Sequence, residues 1–222
     1  MFLYYILIAP IEMIVEWVFY FFVKINVWGV FAAVIGVSVV INFLALPLYN
    51  IADALQDKER RASRKLEPRL KRIKKAFKGD EQFMMVSTYY PQNGYHPLYV
   101  LRSSLSILIE IPFFIAAYHF LSNCSLLLGE SFWIFKDLGN PDKIFSFKMF
   151  DFALTINILP IIMTLINVVS AAIYTRGGTV KEKIQIYVLA LIFLVLLYNS
   201  PSGLVIYWIL NNLFSLFKNI IQ

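Results

Sequence analysis

Residues 27–48 form an apolar run of 22 residues in which Ser38 and Asn42 carry the only polar side chains. Wound as an α-helix at 1.5 Å per residue, this run reaches across the ~30 Å hydrocarbon core of a bilayer. Across the chain, 59% of the residues are hydrophobic and only 15% are charged, against about 25% charged in an average soluble domain. The sequence therefore predicts an all-α polytopic membrane protein and excludes an ordinary cytosolic enzyme, a disordered chain and a disulfide scaffold.

Further apolar segments have the composition of membrane spans, and with residues 27–48 they predict five transmembrane helices. Residues 199–203 contain proline and glycine but no charge, which indicates a tight turn between the last two spans. Residues 1–26 are apolar and aromatic but contain Pro10, which favours an outer interfacial amphipathic helix from Pro10 onward. A first membrane span in this region is the alternative. The additional predicted spans are residues 101–121, 152–174, 184–198 and 202–222, the last including a short tail.

The net charge of +6 comes from one segment of the chain. Between Tyr49 and Arg102 there are 12 basic and 6 acidic residues, whereas the remainder of the chain has 8 of each. Cytoplasmic loops of membrane proteins are enriched in Lys and Arg, so residues 49–100 are predicted to be cytoplasmic. The N-terminus, residues 122–151 and the turn at 199–203 then lie outside. Residues 175–183 and the C-terminus lie in the cytoplasm.

Residues 49–100 are predicted to form a basic helical hairpin, because apolar side chains recur at helical spacing from Leu55 to Phe77. The turn signal Gly79-Asp80 separates this helix from a shorter one. Two interpretations stay open: a surface that contacts ribosomal RNA, anionic lipid or a targeting receptor, or a solvated face that only sets topology. Aromatic residues do not interleave the basic positions, which argues against sequence-specific nucleic-acid recognition. The basic contact face comprises Arg60, Arg61, Arg64, Lys65, Lys71, Arg72, Lys74, Lys75 and Lys78.

Polar side chains form narrow stripes along four of the predicted spans. Glu110 is the only acidic or basic residue well inside a span, and a charge at that depth is costly unless it faces protein or water. Hydrogen bonding between helices accounts for a single Ser or Asn, but for the whole set we favour a shared hydrated groove. The predicted groove-lining residues are Ser38, Asn42, Ser103, Ser106, Glu110, Asn157, Thr164, Asn167, Tyr207, Asn211 and Asn212.

Signatures of catalysis do not accompany these residues. The sequence contains no nucleophile–base pair, phosphate-binding glycine loop or dinucleotide-binding motif. Cys124 is the single cysteine, and His96 and His119 are the only histidines, too few for a cysteine- or histidine-rich metal site. We expect that the protein is not an enzyme and that it holds no cofactor and no metal.

Five segments carry a family resemblance. A span ends in Leu-Pro-Leu before the basic hairpin, and Ser200-Pro-Ser-Gly opens the last span. Together, in this order and spacing, the segments resemble the YidC/Oxa family of membrane protein insertases from about Pro10 to Ile221. The stretch that begins at Ser200 is the most specific. The segments are residues 42–48, 66–73, 107–118, 137–138 with 158–163, and 200–213.

The resemblance implies a five-span core with an outer interfacial helix, a cytoplasmic hairpin and a hydrophilic groove. It implies that client transmembrane segments pass into the bilayer along this groove without nucleotide hydrolysis. Hydrophobic membrane-protein clients and the lipid bilayer are the expected partners, and the ribosome, ribosomal RNA and the Sec translocon are candidates. The expected location is the bacterial plasma membrane, with the N-terminus outside and the C-terminus in the cytoplasm.

One departure from the family pattern concerns the charge of the groove. Many bacterial members carry an arginine at the position of Asn42, and the position of Glu110 is often uncharged in the family. Attraction of acidic client tails by a groove arginine therefore does not carry over to this chain. Two alternatives follow: a dedicated assembly subunit of one membrane complex that keeps the insertase fold, and a proton or solute pathway that depends on Glu110.

Overall fold

A computed structural model describes residues 4–25, 29–96, 105–149, 152–174 and 180–221. Seven α-helices follow one another in the described part: α1 (Ala9–Ile25), α2 (Gly29–Ala76), α3 (Gly79–Gln92), α4 (Leu105–Asn123), α5 (Ile158–Tyr174), α6 (Val180–Leu197) and α7 (Ser202–Ile221). A π-helical turn at Tyr4–Ile8 precedes α1, and a 3-10 turn at Ser125–Leu127 follows α4. Strands β1 (Phe145–Met149) and β2 (Phe152–Ile156) lie between α4 and α5.

The chain divides into two compact units. The bundle unit comprises Met1–Leu44 and Phe113–Gln222, and the arm unit comprises Ala45–Pro112. Two of the described helices, Tyr4–Ile25 and Gly29–Ala76, are long and apolar enough to cross a bilayer. Shorter apolar helices cover Leu108–Asn123, Ile158–Ile173 and Lys183–Leu197. The length of Tyr4–Ile25 suits a span as well as an interfacial helix, so both interpretations of the N-terminal segment stay open.

Helix α2 is longer than the sequence predicts. The predicted span at 27–48 and the first helix of the predicted hairpin form one helix of 48 residues that contains Pro47 and Pro68. A proline inside a helix removes one hydrogen bond and usually kinks or ends it. Here the segments after each proline are rich in the helix formers Ala, Leu, Glu, Lys and Arg, and no glycine separates the predicted span from the first helix of the predicted hairpin. The helix therefore continues to Ala76.

A β-hairpin replaces the start of the third predicted span. Residues 152–156 pair antiparallel with 145–149, in a register that places Phe145 opposite Ile156 and Ser146 opposite Thr155. Aromatic and β-branched residues favour strands, and Phe152, Thr155 and Ile156 lie on β2. Helix α5 consequently begins at Ile158, six residues later than the predicted boundary at 152. The all-α expectation holds for the described chain apart from this hairpin.

The core of the bundle unit joins α1, α2 and α7 to the segment after α4. Phe19 is fully enclosed, and Gly36 of α2 lies directly beneath the ring of Phe22: a Cβ added at this glycine would lie 2.3 Å from the ring. Helix α1 therefore approaches α2 more closely there than any larger residue would permit. Helix α5 packs against both α6 and α7. The largest buried side chains of the unit include Phe19, Val34, Val37, Leu121, Leu127, Leu138, Met163, Leu204 and Tyr207.

Two helix N-termini are capped by the segment that precedes β1. Asp142 Oδ2 accepts the main-chain N–H groups of Ile158 at 2.6 Å and Leu159 at 2.9 Å, the first residues of α5. The main-chain oxygen of Asn140 accepts both the N–H and the hydroxyl of Ser202 at the start of α7. These bonds satisfy donors that a helix cannot pair internally, and they tie this segment to the ends of α5 and α7.

In the arm unit, α3 and the segment after it fold back along α2. Gln82 donates from Nε2 to the main-chain oxygens of Lys74 at 3.0 Å and Phe77 at 2.8 Å. Further along, the Tyr95 hydroxyl donates to the carboxylate of Glu59, a bond that joins residues 36 positions apart. Glu59 is 5% exposed and Tyr95 is 6% exposed, so this bond is enclosed. The cytoplasmic placement of the arm stays a prediction.

Candidate functional site

The polar residues of α2 and α7 meet in one place within the bundle unit. Ser38 Oγ donates to Asn211 Oδ1 at 2.6 Å, and Asn42 Nδ2 donates to the same oxygen at 2.6 Å. Asn42 Nδ2 also donates to the main-chain oxygen of Ser38 at 2.8 Å. We call Ser38, Asn42 and Asn211 the amide cluster. Three of the residues predicted to line a groove are therefore in direct contact.

Helix geometry explains the amide cluster. Ser38 and Asn42 are four residues apart and share a face of α2, while Asn211 reaches them from α7, 169 residues away from Asn42 in sequence. Ser38 is 2% exposed and Asn42 is 6% exposed, so water competes little for these bonds. Beside the cluster, the rings of Phe43 and Phe214 meet edge to face with centroids 5.8 Å apart. A polar contact and an apolar contact thus join the same two helices.

Helix α7 carries further buried polar atoms next to Asn211. Tyr207 is fully enclosed and Asn212 is 7% exposed. Asn212 Nδ2 and the indole N–H of Trp208 are buried and have no hydrogen-bond partner among the described residues. The ring of Trp208 packs against Phe114 and Phe193, with centroids 4.7 Å and 5.0 Å away. Polar-residue counting misses Trp208, because an aromatic residue in an apolar span gives no separate signal.

Asn157, just before α5, and Thr164, within it, have local partners. Asn157 accepts the main-chain N–H of Lys143 at 3.1 Å and donates to the main-chain oxygen of Tyr198 at 2.7 Å. These bonds fix the start of α5 to the end of α6. Thr164 Oγ1 donates to the main-chain oxygen of Pro160 in its own helix, and Asn167 is half-buried. None of the described bonds of Asn157 and Thr164 reaches the amide cluster.

The remaining predicted groove residues belong to the second predicted span. Glu110 lies on α4 and is half-buried, within the arm unit. Ser103 lies outside the described residues, as does the side chain of Ser106, although Ser106 is part of α4. A hydrated cavity shared by these residues and the amide cluster stays a prediction.

The basic contact face lies on the second half of α2 and on the turn after it. Its side chains are exposed, apart from Arg60, which is half-buried. Lys71 forms an ion pair with Glu67 at 2.8 Å, and such an exposed pair four residues apart is worth about 0.3–0.5 kcal/mol. Arg69, which the sequence reasoning did not assign to this face, lies 5.8 Å from the centre of the Tyr89 ring. Tyr89 of α3 is therefore an aromatic neighbour of Arg69.

A polar network between the N-terminal segment and α4 was not predicted. Glu12 accepts the hydroxyl of Tyr4 at 2.5 Å through one carboxylate oxygen, and its other oxygen lies 2.5 Å from His119 Nδ1. The signal available in the sequence is an acidic residue, Glu12, in a mostly apolar segment. The sequence does not identify His119 as its partner, 107 residues away. Among the described residues, no group of three or more His, Cys, Asp or Glu side chains could hold a metal ion.

Comparison with known proteins identifies the family. Residues 4–222 match the family described as 60Kd inner membrane protein, which is nearly the whole chain. The chain belongs to this family. The predicted membership of the YidC/Oxa family is confirmed. The prediction of a multi-pass helical membrane protein is confirmed as well.

Curated relatives carry the name membrane protein insertase YidC. The protein of Treponema denticola is 27% identical over 227 residues, which covers 96% of this chain and 37% of the relative. That of Fusobacterium nucleatum is 24% identical over 188 residues and covers 84% of this chain and 82% of the relative. This chain therefore spans little more than a third of the first relative and most of the second.

A solved structure has the same fold. The crystal structure of an active YidC insertase with its first transmembrane domain resolved superposes with a TM-score of 0.58 at 23% identity. The superposition covers 96% of this chain and 46% of the crystallised chain. At this identity, the likeness concerns the fold.

Proposed function

We propose that this protein is a membrane protein insertase and chaperone that passes client transmembrane segments into the bilayer along a hydrophilic groove. The observation that carries the proposal is the amide cluster: Ser38, Asn42 and Asn211 make a buried polar contact between two apolar helices. Membership of a family whose relatives are named insertases supports the same conclusion.

The proposed mechanism lowers the desolvation cost of the polar flank of a client. A polar group that enters hydrocarbon without a hydrogen-bond partner costs several kcal/mol. In the groove, side-chain amides and hydroxyls replace part of the water that the flank loses, while its apolar helix faces lipid. No covalent step is needed, so insertion requires neither a catalytic residue nor nucleotide hydrolysis.

The basic arm gives the protein its proposed orientation. We place Arg61, Lys74 and the other residues of the basic contact face in the cytoplasm of a bacterial cell, because positive charge is retained on that side. The N-terminus then lies outside the plasma membrane and the C-terminus inside. From this position the face is available to anionic lipid, to the ribosome or to the Sec translocon as candidate partners.

Depletion in the host tests the function in its native membrane. We expect that loss of this protein and of any paralogue leaves short one- and two-span clients accessible to protease on the cytoplasmic side. Re-expression of the wild type restores insertion, and Asn42→Leu restores it less well than the matched change Asn123→Leu at an exposed asparagine. Normal insertion of these clients in the depleted cells contradicts the proposal.

The charge of the groove separates this proposal from its alternatives. A dedicated assembly subunit would co-purify with one stoichiometric partner, whereas an insertase co-purifies with many clients. A proton or solute pathway through Glu110 would give a flux into sealed vesicles that Glu110→Gln abolishes. We favour the insertase, because the amide cluster is uncharged and suits amide groups rather than ions.

A further inference from the structure

Two polar groups of the amide cluster form no hydrogen bond within it. The two N–H bonds of Asn42 go to the Ser38 main-chain oxygen and to Asn211 Oδ1, and the Ser38 hydroxyl is used on the same Asn211 oxygen. What remains is the carbonyl oxygen of the Asn42 side chain, an acceptor, and the Nδ2 group of Asn211, a donor. Within the described residues no bond to either is formed, and neither is among the fully enclosed polar atoms without a partner.

The surroundings of these two groups are partly open and apolar. Asn42 is only 6% exposed, but Asn211 is half-buried, and Phe43, whose ring contacts Phe214 of α7, is 60% exposed. A ligand that reaches the cluster therefore meets a polar spot at the edge of an apolar helix surface. This combination fits an apolar helix with a polar flank.

The cluster itself has no charge. On α7 the nearest basic residue in sequence is Lys218, seven residues after Asn211, which corresponds to about 10 Å along a helix axis. Lys218 therefore lies about two helical turns from Asn211, and it forms no described hydrogen bond with the amide cluster. A carboxylate placed on the cluster would present only acceptor oxygens, and one of them would face the Asn42 carbonyl without a counter-charge.

We propose that Asn42 and Asn211 together recognise an uncharged primary amide of the client, an Asn or Gln side chain, in preference to a carboxylate. An amide offers one N–H donor for Asn42 Oδ1 and one carbonyl acceptor for Asn211 Nδ2, which is the complementary pattern. This inference rests on the proposed insertase function and names the substrate class of that site. Asn211 is then the specificity-determining residue of α7.

Insertion into proteoliposomes that contain only the full-length protein tests the inference. Three purified single-span clients differ only in the flank that crosses the bilayer, which carries Asn, Asp or Leu at the same positions. With the wild type, we expect the Asn flank to insert about fivefold more than the Asp flank after the protein-free background is subtracted, the effect of about one hydrogen bond. Equal insertion, or a preference for Asp, contradicts the inference.

The variant Asn211→Asp keeps the oxygen that Ser38 and Asn42 bind but replaces the donor by a charged oxygen. We expect the ratio of Asn-flanked to Leu-flanked insertion, measured in the same vesicles, to fall about fivefold. Asn123→Asp adds the same charge at an exposed residue of the bundle unit and should change neither client. An equal loss for Asn and Leu flanks contradicts the recognition by Asn211.

This experiment separates a failure of amide recognition from a failure of the insertase function. If no client inserts above the level of protein-free vesicles, the proposed insertase function is wrong. If clients insert but the ratio of Asn-flanked to Leu-flanked insertion is the same for the wild type and Asn211→Asp, the insertase function stands and the amide recognition is wrong.

Discussion

Asn42 on α2 and Asn211 on α7 are joined by a hydrogen bond of 2.6 Å between Nδ2 and Oδ1, although 169 residues separate them in sequence. The hydroxyl of Ser38 converges on the same oxygen. One acceptor atom thus receives two donors from the neighbouring helix, at a site from which water is largely excluded. The contact holds the two helices together and sets the polarity of the surface between them.

Removal of the shared acceptor should destabilise the bundle unit. In Asn211→Leu the donors of Ser38 and Asn42 lose their partner, and an unsatisfied buried donor costs about 1–3 kcal/mol. Thermal unfolding in detergent should show a lower melting temperature for Asn211→Leu and an unchanged one for Asn123→Leu. Equal melting temperatures for the wild type and Asn211→Leu would show that the cluster adds nothing to stability.

Gly36 should be intolerant of any side chain while Phe22 is present. A Cβ at this position would lie 2.3 Å from the Phe22 ring, so Gly36→Ala forces α1 away from α2, and overpacking of this kind costs about 1–3 kcal/mol. Combining it with Phe22→Ala should restore part of the loss, because the clash is removed. Melting temperatures of the single and double variants check this, and additive losses would refute a direct contact.

The enclosed hydrogen bond between Tyr95 and Glu59 should stabilise the packing of the segment after α3 against α2. Tyr95→Phe leaves the buried Glu59 carboxylate without this donor, at a cost of about 1–3 kcal/mol. Limited trypsin digestion should then cut the Lys- and Arg-rich part of α2 faster, since cleavage follows local opening. Tyr89→Phe removes a hydroxyl from the same unit but keeps the ring beside Arg69 and should digest like the wild type. If both variants digest alike, the bond does not stabilise the arm.

The stability that Tyr95 contributes should also depend on pH in the alkaline range. Burial, and then the bond to Glu59, raise the pKa of the Tyr95 phenol above its ordinary value of 10.0. A group whose pKa is raised by folding stabilises the fold fully below the unfolded pKa, and this contribution is lost as the pH rises through the folded value. The absorbance titration of the wild type minus that of Tyr95→Phe should therefore show one phenol that ionises above pH 10. Ionisation at or below pH 10 would contradict the buried bond.

The cap on α5 depends on a single carboxylate. Asp142→Ala deprives the N–H groups of Ile158 and Leu159 of their shared acceptor, and loss of such a cap costs about 1 kcal/mol. Hydrogen exchange at the start of α5 should accelerate in Asp142→Ala, whereas Asp142→Asn keeps an oxygen there and should stay near the wild type. Unchanged protection in Asp142→Ala would mean that water caps the helix equally well.

The helices of the bundle could be predicted because their signals are local. The apolar run and the breaker Pro201 predicted a span at residues 202–222, and α7 extends from Ser202 to Ile221. The four-residue spacing of Ser38 and Asn42 likewise predicted one polar face on α2. For such features the sequence alone is sufficient, since neighbours along a helix are neighbours in space.

What the sequence could not supply are pairings between distant segments. The contact of Glu12 with His119, the cap from Asp142 to α5 and the partner of Asn42 on α7 each need the tertiary fold. The strand at residues 152–156 was interpreted as part of a span, because a short apolar run does not distinguish a strand from a helix. Residues 152–156 form a strand because they pair with residues 145–149. Pairing of this kind is not a local property of the sequence.

The insertase function is tested by adding a purified, unfolded single-span client to sealed vesicles that contain only this protein and no nucleotide. The fraction of client that acquires a protease-protected flank is the measurement. We expect clear protection above that in protein-free vesicles of the same lipid, and we expect it to be unchanged when a nucleoside triphosphate is added. Protection equal to that in protein-free vesicles, or protection that appears only with nucleotide, would contradict the proposed function.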